Sequence, residues 1–173
     1  MEASYQRRFI NYNKSRYSFL EEQGEMLIVC VDEYLDELQV LVDWKNISGR
    51  PTSIVAASTT GTLDGLKSYL QKYYNSHPNV THILLVGEHN NLPAYPTTVI
   101  GGFTSARTDN YYGQLEGDDL YMEVFVGRLS VANETDAENQ VNRIIYYERD
   151  IDETATWLNK GIGIGSVEGN GHY

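Results

Sequence analysis

Met26–Val31 reads MLIVCV, an unbroken apolar run. A strand covered on one face alternates apolar with polar residues. A run without alternation fits a strand buried on both faces, as in a parallel sheet. The sequence beyond it agrees. Tyr34–Ile47 places Leu35, Leu38, Leu41 and Val42 at helical spacing, and Ser48-Gly49 with Pro51 beyond stops the helix. Thr52–Ala57 is a second short strand. Thr59–Gly61 turns the chain, and Thr62 with Asp64 starts a second helix. Its buried face is Leu63, Leu66, Leu70 and Tyr73, and Pro78 lies past its end. Thr81–Val86, THILLV, is a third strand. Strand, helix, strand, helix, strand predicts an α/β fold, a mainly parallel sheet with helices on both faces.

Beyond this core, Asn90–Arg107 is a long connection holding Pro93, Pro96 and Gly101-Gly102. Loops of that length in a compact domain are usually functional or mobile. Val124–Gly127 predicts a further strand. Asn133 caps a third helix with Asp136 as capping partner, and Val141, Ile144 and Ile145 form its core stripe. Glu148-Arg149-Asp150 closes that helix, with Trp157-Leu158 packing nearby. KGIGIG, Lys160–Gly165, predicts a fifth strand, and Ser166–Tyr173 leaves its carboxyl end. In such sheets ligands bind beyond the carboxyl ends of the strands, which singles out Asp32, Glu88, His89 and Glu168. Met1–Gln23 is a polar lead-in, where Arg16–Tyr17 offers a bond to a trypsin-like protease.

Composition narrows the function. A chain of 173 residues suits one domain of ordinary size. A net charge of −11 disfavours nucleic acid and anionic membrane as partners. The single cysteine, Cys30, excludes an internal disulfide and a multi-cysteine zinc site. No run reaches the length of a membrane-spanning helix. The first residues lack the apolar segment of a signal peptide, which suits either a cytosolic protein or a piece of a longer secreted chain.

The chemistry concentrates in Thr108–Arg128, TDNYYGQLEGDDLYMEVFVGR. Asp109, Glu116, Asp118, Asp119 and Glu123 crowd one segment, and only Arg107 and Arg128 flank it. Such acids repel one another unless a positive charge sits among them. A hard divalent cation, taking carboxylate and carbonyl oxygens, is the natural neutraliser. On an extended chain Asp119, Tyr121 and Glu123 share one face. A solvated acidic loop is the alternative.

Other candidates are weaker. Cys30 lies inside a strand, where a thiol packs as a small hydrophobe, so a Cys30–His172 dyad fails on position. GIGIG lacks the spacing of a dinucleotide fingerprint. Glu168 stands where a strand ends, and a carboxylate there could hold the tautomer of a histidine and stabilise its imidazolium, an exposed loop carboxylate being the commoner alternative.

RRFINYNKSRY, MLIVCVDEY, VDWKNISG, THILLVGEHNNLPA, YYGQLEGDDLYMEVFVGRLS, IIYYERD and SVEG follow one another along nearly the whole chain. This ordered set resembles the gingipains, secreted bacterial cysteine endopeptidases of peptidase family C25. The resemblance implies a caspase-like, Rossmann-like three-layer sandwich. It implies a propeptide tail over residues 1–16, cut at Arg16–Tyr17, and an N-terminal catalytic subdomain over 17–173. It implies a structural Ca2+ held by side chains of Asp119 and Glu123 and backbone carbonyls of Glu116 and Tyr121. It also implies that Glu168 hydrogen-bonds the catalytic histidine. The family's catalytic histidine and nucleophilic cysteine fall in the second half of the catalytic domain, and His172 does not match that histidine. The chain alone is therefore expected to be inactive, its partners being that second half and, through the whole enzyme, protein or peptide substrates. The implied location is secreted or on the bacterial cell surface. A non-catalytic α/β binding module, recognising a partner through its acidic loop, is the rival reading.

Overall fold

The computed structural model describes residues 24–97, 106–152 and 154–163. The strands are β1 (Glu25–Cys30), β2 (Thr52–Ala56), β3 (Val80–Val86), β4 (Tyr95–Thr97), β5 (Ala106–Thr108) and β6 (Phe125–Leu129). The main helices are α1 (Leu35–Ile47), α2 (Leu63–Ser76) and α3 (Glu134–Ile145). Four strands form one parallel sheet in the order β2-β1-β3-β6. The apolar run lies at its centre, and Leu27, Ile28, Val29 and Cys30 are at most 1% exposed. Burial on both faces explains the missing alternation.

Right-handed crossovers place the helices. The path from β1 to β2 moves one way across the sheet, and the path from β2 to β3 returns past β1. Helices α1 and α2 therefore cover opposite faces, and α3 packs beside α1. Leu38, Leu41 and Val42 of α1 are buried, as are Leu66 and Leu70 of α2 and Ala137, Val141 and Ile145 of α3. The expected caps are present. Thr62 Oγ1 accepts from Gly65 N, and Asn133 Oδ1 accepts from Asp136 N at 2.9 Å. A wider helical turn, Tyr146–Asp150, extends α3. From it the Glu148 carboxylate binds Lys45 Nζ at 2.6 Å and accepts from Trp44 Nε1 at 2.9 Å, tying the turn to α1.

Three expectations change. The long connection contains strand β4, paired antiparallel with β5, which the residue pattern did not announce. Thr59–Gly61 is the end of a single helical turn, Ala57–Thr60, closed by Gly61. The fifth strand is not formed over its described part, Lys160–Gly163. Ile162 there is 91% exposed, so no strand or helix among the described residues covers it. Trp157 and Leu158 are also about half exposed, with the Trp157 ring 5.9 Å from that of Tyr147. No helix among the described residues is long and apolar enough to cross a membrane.

Candidate functional site

The strand order reverses between β1 and β3, so their carboxyl ends form the crevice where such sheets bind ligands. The backbone there is tightly fixed. Val31 N donates to Val86 O, and Gly87 N donates to Leu129 O, both at 3.0 Å. Gly87 has φ +141°, and a β-carbon on it would stand 2.5 Å from Val31 Cγ2. Only glycine lets the chain leave β3 so close to the end of β1.

Arg128, near the end of β6, holds this rim together. Its guanidinium grips both Asp109 oxygens at 2.8 Å and donates from Nη1 to Gly87 O and Leu92 O at 2.9 Å. A planar fork matched to a carboxylate explains why arginine rather than lysine stands here. In sequence Arg128 was only a flanking base. Its partners are distant along the chain, so no local spacing could have revealed them.

The other rim candidates have structural partners. The Asp32 carboxylate accepts from Ser58 Oγ and Ser58 N, which holds it below the usual carboxylate range. His89 Nδ1 accepts from Ala94 N at 3.0 Å, so this imidazole shapes its own loop. Glu88 contributes its backbone carbonyl, accepting from Asn91 N and Leu92 N. Cys30 is fully buried, with its thiol donating to Val31 O at 3.2 Å. Burial, with Glu37 and Asp32 nearby, pushes its pKa up to about 12. It is no nucleophile, since attack needs the thiolate.

The acidic segment is built by turns, not by an extended strand. Gly117, at φ +66°, reverses the chain between Glu116 and Asp118. The shared face expected of Asp119, Tyr121 and Glu123 is thus absent. Instead Glu123 folds back, and its Oε2 accepts from Leu115 N at 2.5 Å and Glu116 N at 3.0 Å. Those two bonds hold its pKa below the usual glutamate range. Asp119 Oδ1 accepts from Tyr121 N at 2.9 Å. Each carboxylate keeps one oxygen that accepts nothing among the described residues, as do the carbonyls of Glu116 and Tyr121. These are the oxygens a hard cation takes. Side chains alone make no such site, since among the described residues no three His, Cys, Asp or Glu gather as metal ligands.

A positive charge does sit behind this segment. Lys67, on the buried side of α2 and 8% exposed, donates from Nζ to Tyr111 O and Gln114 O. The ammonium lies 4.4 Å from the centre of the Tyr111 ring. Burial pushes its pKa down, and the Glu123 charge opposes that shift. Burying an ammonium costs several kcal/mol. Two charge-assisted hydrogen bonds, each about 2 kcal/mol, and a cation–π contact of about 1 kcal/mol offset it. Tyr112, fully buried beside it, donates from its hydroxyl to Pro93 O.

Glu168, Arg16 and Tyr17 lie outside the described residues.

The Peptidase family C25 model matches residues 19–172. The chain belongs to peptidase family C25. Over 97% of its length it is 35% identical to gingipain R1 of Porphyromonas gingivalis, and 34% identical to gingipain R2 of the same species. It spans only 17% and 23% of those two proteins. Among solved structures, the Arg-specific cysteine proteinase gingipain R aligns with a TM-score of 0.68 at 33% identity. That alignment covers 78% of this chain and 31% of the proteinase. A complex of the pro- and mature domains of RgpB from P. gingivalis aligns equally well, at 34% identity over 74% of this chain and 30% of that one. The C25 fold accounts for the parallel sheet and its flanking helices.

Proposed function

We propose that the chain is the first α/β subdomain of a secreted or surface-located gingipain-like cysteine endopeptidase. The family match across residues 19–172 carries the reading. Cys30 is the single cysteine in the sequence, and it is buried and protonated. Acyl transfer needs a reactive thiolate, a base and oxyanion donors at one point. The 173 residues therefore do not act as a peptidase by themselves, and nucleophile and histidine come from further sequence of the same protein. Glu168 orients that histidine, fixing its tautomer and stabilising its charged form. Protein or peptide substrates meet the assembled enzyme. Arg16–Tyr17 is its processing bond.

In the same reading Ca2+ binds the acidic loop through Asp119 and Glu123 side chains and the Glu116 and Tyr121 carbonyls. The oxygens on these four residues that accept nothing among the described residues support it. When bound, the ion neutralises charge and pins a surface loop, and it takes no part in bond cleavage.

The test is a peptidase assay on the 173-residue chain and on the full-length protein. Thiol-dependent cleavage by the full-length protein alone is expected. Its absence there, or its presence in the chain alone, overturns the proposal.

A further inference from the structure

The acidic segment posed a physical question, namely what cation stops its carboxylates from repelling one another. Part of the answer is a side chain. Lys67 sits one position past Leu66 and three before Leu70, both core residues, yet it carries a full charge into the same buried layer. No carboxylate among the described residues comes within ion-pair distance of it. Its ammonium is instead taken by two carbonyls, Tyr111 O and Gln114 O, and by the face of the Tyr111 ring. Carbonyls converging on a desolvated charge are how a protein binds a cation. From the far side, Glu123 closes the segment through Leu115 N and Glu116 N, and its charge acts on Lys67. Gln114 Nε2 reaches Leu120 O at 3.3 Å and links this base to the exposed tip.

We propose that Lys67 is the resident cation of the acidic loop, holding Tyr111–Glu123 in its ordered shape with no divalent ion bound. The arrangement orders the loop from beneath. Its outer carboxylates stay available, and any divalent ion meets a surface already set. Lys67 is thus a positioning residue, acting through the carbonyls of the loop. This inference does not depend on the calcium reading.

Amide hydrogen exchange on the 173-residue chain in excess chelator tests it. The Leu115 and Glu116 amides are expected to be protected at least tenfold over an unstructured chain. Unprotected loop amides in chelator, beside protected β1 amides, overturn the proposal. Lys67→Met is expected to abolish the loop protection while Ile28 and Leu85 amides keep theirs. Because removing a buried charge affects packing too, charge is restored separately. In a Cys30→Ala background, Lys67→Cys is alkylated before refolding with bromoethylamine, which rebuilds an ammonium of lysine length, or with bromopropane, which does not. Protection should return only with the ammonium, and equal protection from both adducts contradicts the role. Calcium is read separately by calorimetric titration, and absence of binding heat there removes the calcium reading alone.

Discussion

The Arg128 guanidinium meets the Asp109 carboxylate on two arms, Nε to Oδ2 and Nη2 to Oδ1, each 2.8 Å long. The same side chain binds two carbonyls of the loop that leaves β3. Both partners are mostly buried, with side chains 14% and 23% exposed, so this pair is more than a screened surface contact. Arg128→Ala would strand a carboxylate and two carbonyls, and should cost about 3 kcal/mol in urea unfolding. Arg128→Lys keeps the charge but loses the fork, and should still cost about 2 kcal/mol.

Cys30 should be invisible to thiol reagents in the native chain. Its burial and raised pKa leave almost no thiolate at neutral pH. Labelling by a disulfide reagent should follow the rate of global unfolding and become immediate in denaturant. Fast labelling under native conditions would contradict the packing described for β1.

His82 gives the fold a pH dependence of known sign. Its Nδ1 faces Arg50 Nη1 at 3.0 Å and Thr81 Oγ1 at 2.7 Å, while its ring lies 5.3 Å from that of Phe125. An arginine N–H can only donate, so Nδ1 must accept, and the imidazole is neutral. Burial, then the charges of Arg50 and Lys45, hold its pKa below 6.5. A depressed pKa contributes stability that is complete above the unfolded value and is lost as pH falls through the folded value. Wild type should lose stability on acidification from about pH 7, the unfolded imidazole titrating near 6.5. His82→Gln should flatten that part of the curve.

The calcium reading makes a separable prediction. Calorimetric titration with Ca2+ should give binding that Asp119→Ala weakens at least about tenfold, as loss of a charged ligand from an exposed site does. In chelator the two proteins should unfold alike, because Asp119 is exposed and its bond to Tyr121 N is local. No heat at millimolar Ca2+ would remove the metal from the account.

The layered fold was legible because burial writes itself into the chain. MLIVCV and THILLV could be read as central strands since both faces are covered, and Thr62 and Asn133 as caps since capping is local. What escaped depends on distance. The partners of Arg128 and Lys67 lie 19 to 47 residues away, and such pairings leave no periodicity. The β4–β5 pair is three residues per strand, too short for a pattern. KGIGIG reads as a strand, yet over its described part, Lys160–Gly163, none forms, and Ile162 there is left exposed among the described residues. The crowding of acids in Thr108–Arg128 was legible, but the buried Lys67 that donates to the Tyr111 and Gln114 carbonyls of this segment comes from another element.

Glu168→Gln in the full-length protein tests the proposal that this chain supplies the carboxylate orienting the histidine of a C25 peptidase. Steady-state kinetics across pH should show kcat falling by at least about a hundredfold with KM little changed. The pH profile should shift as the histidine loses its stabilising charge. Wild-type kcat with an unchanged profile would contradict the account.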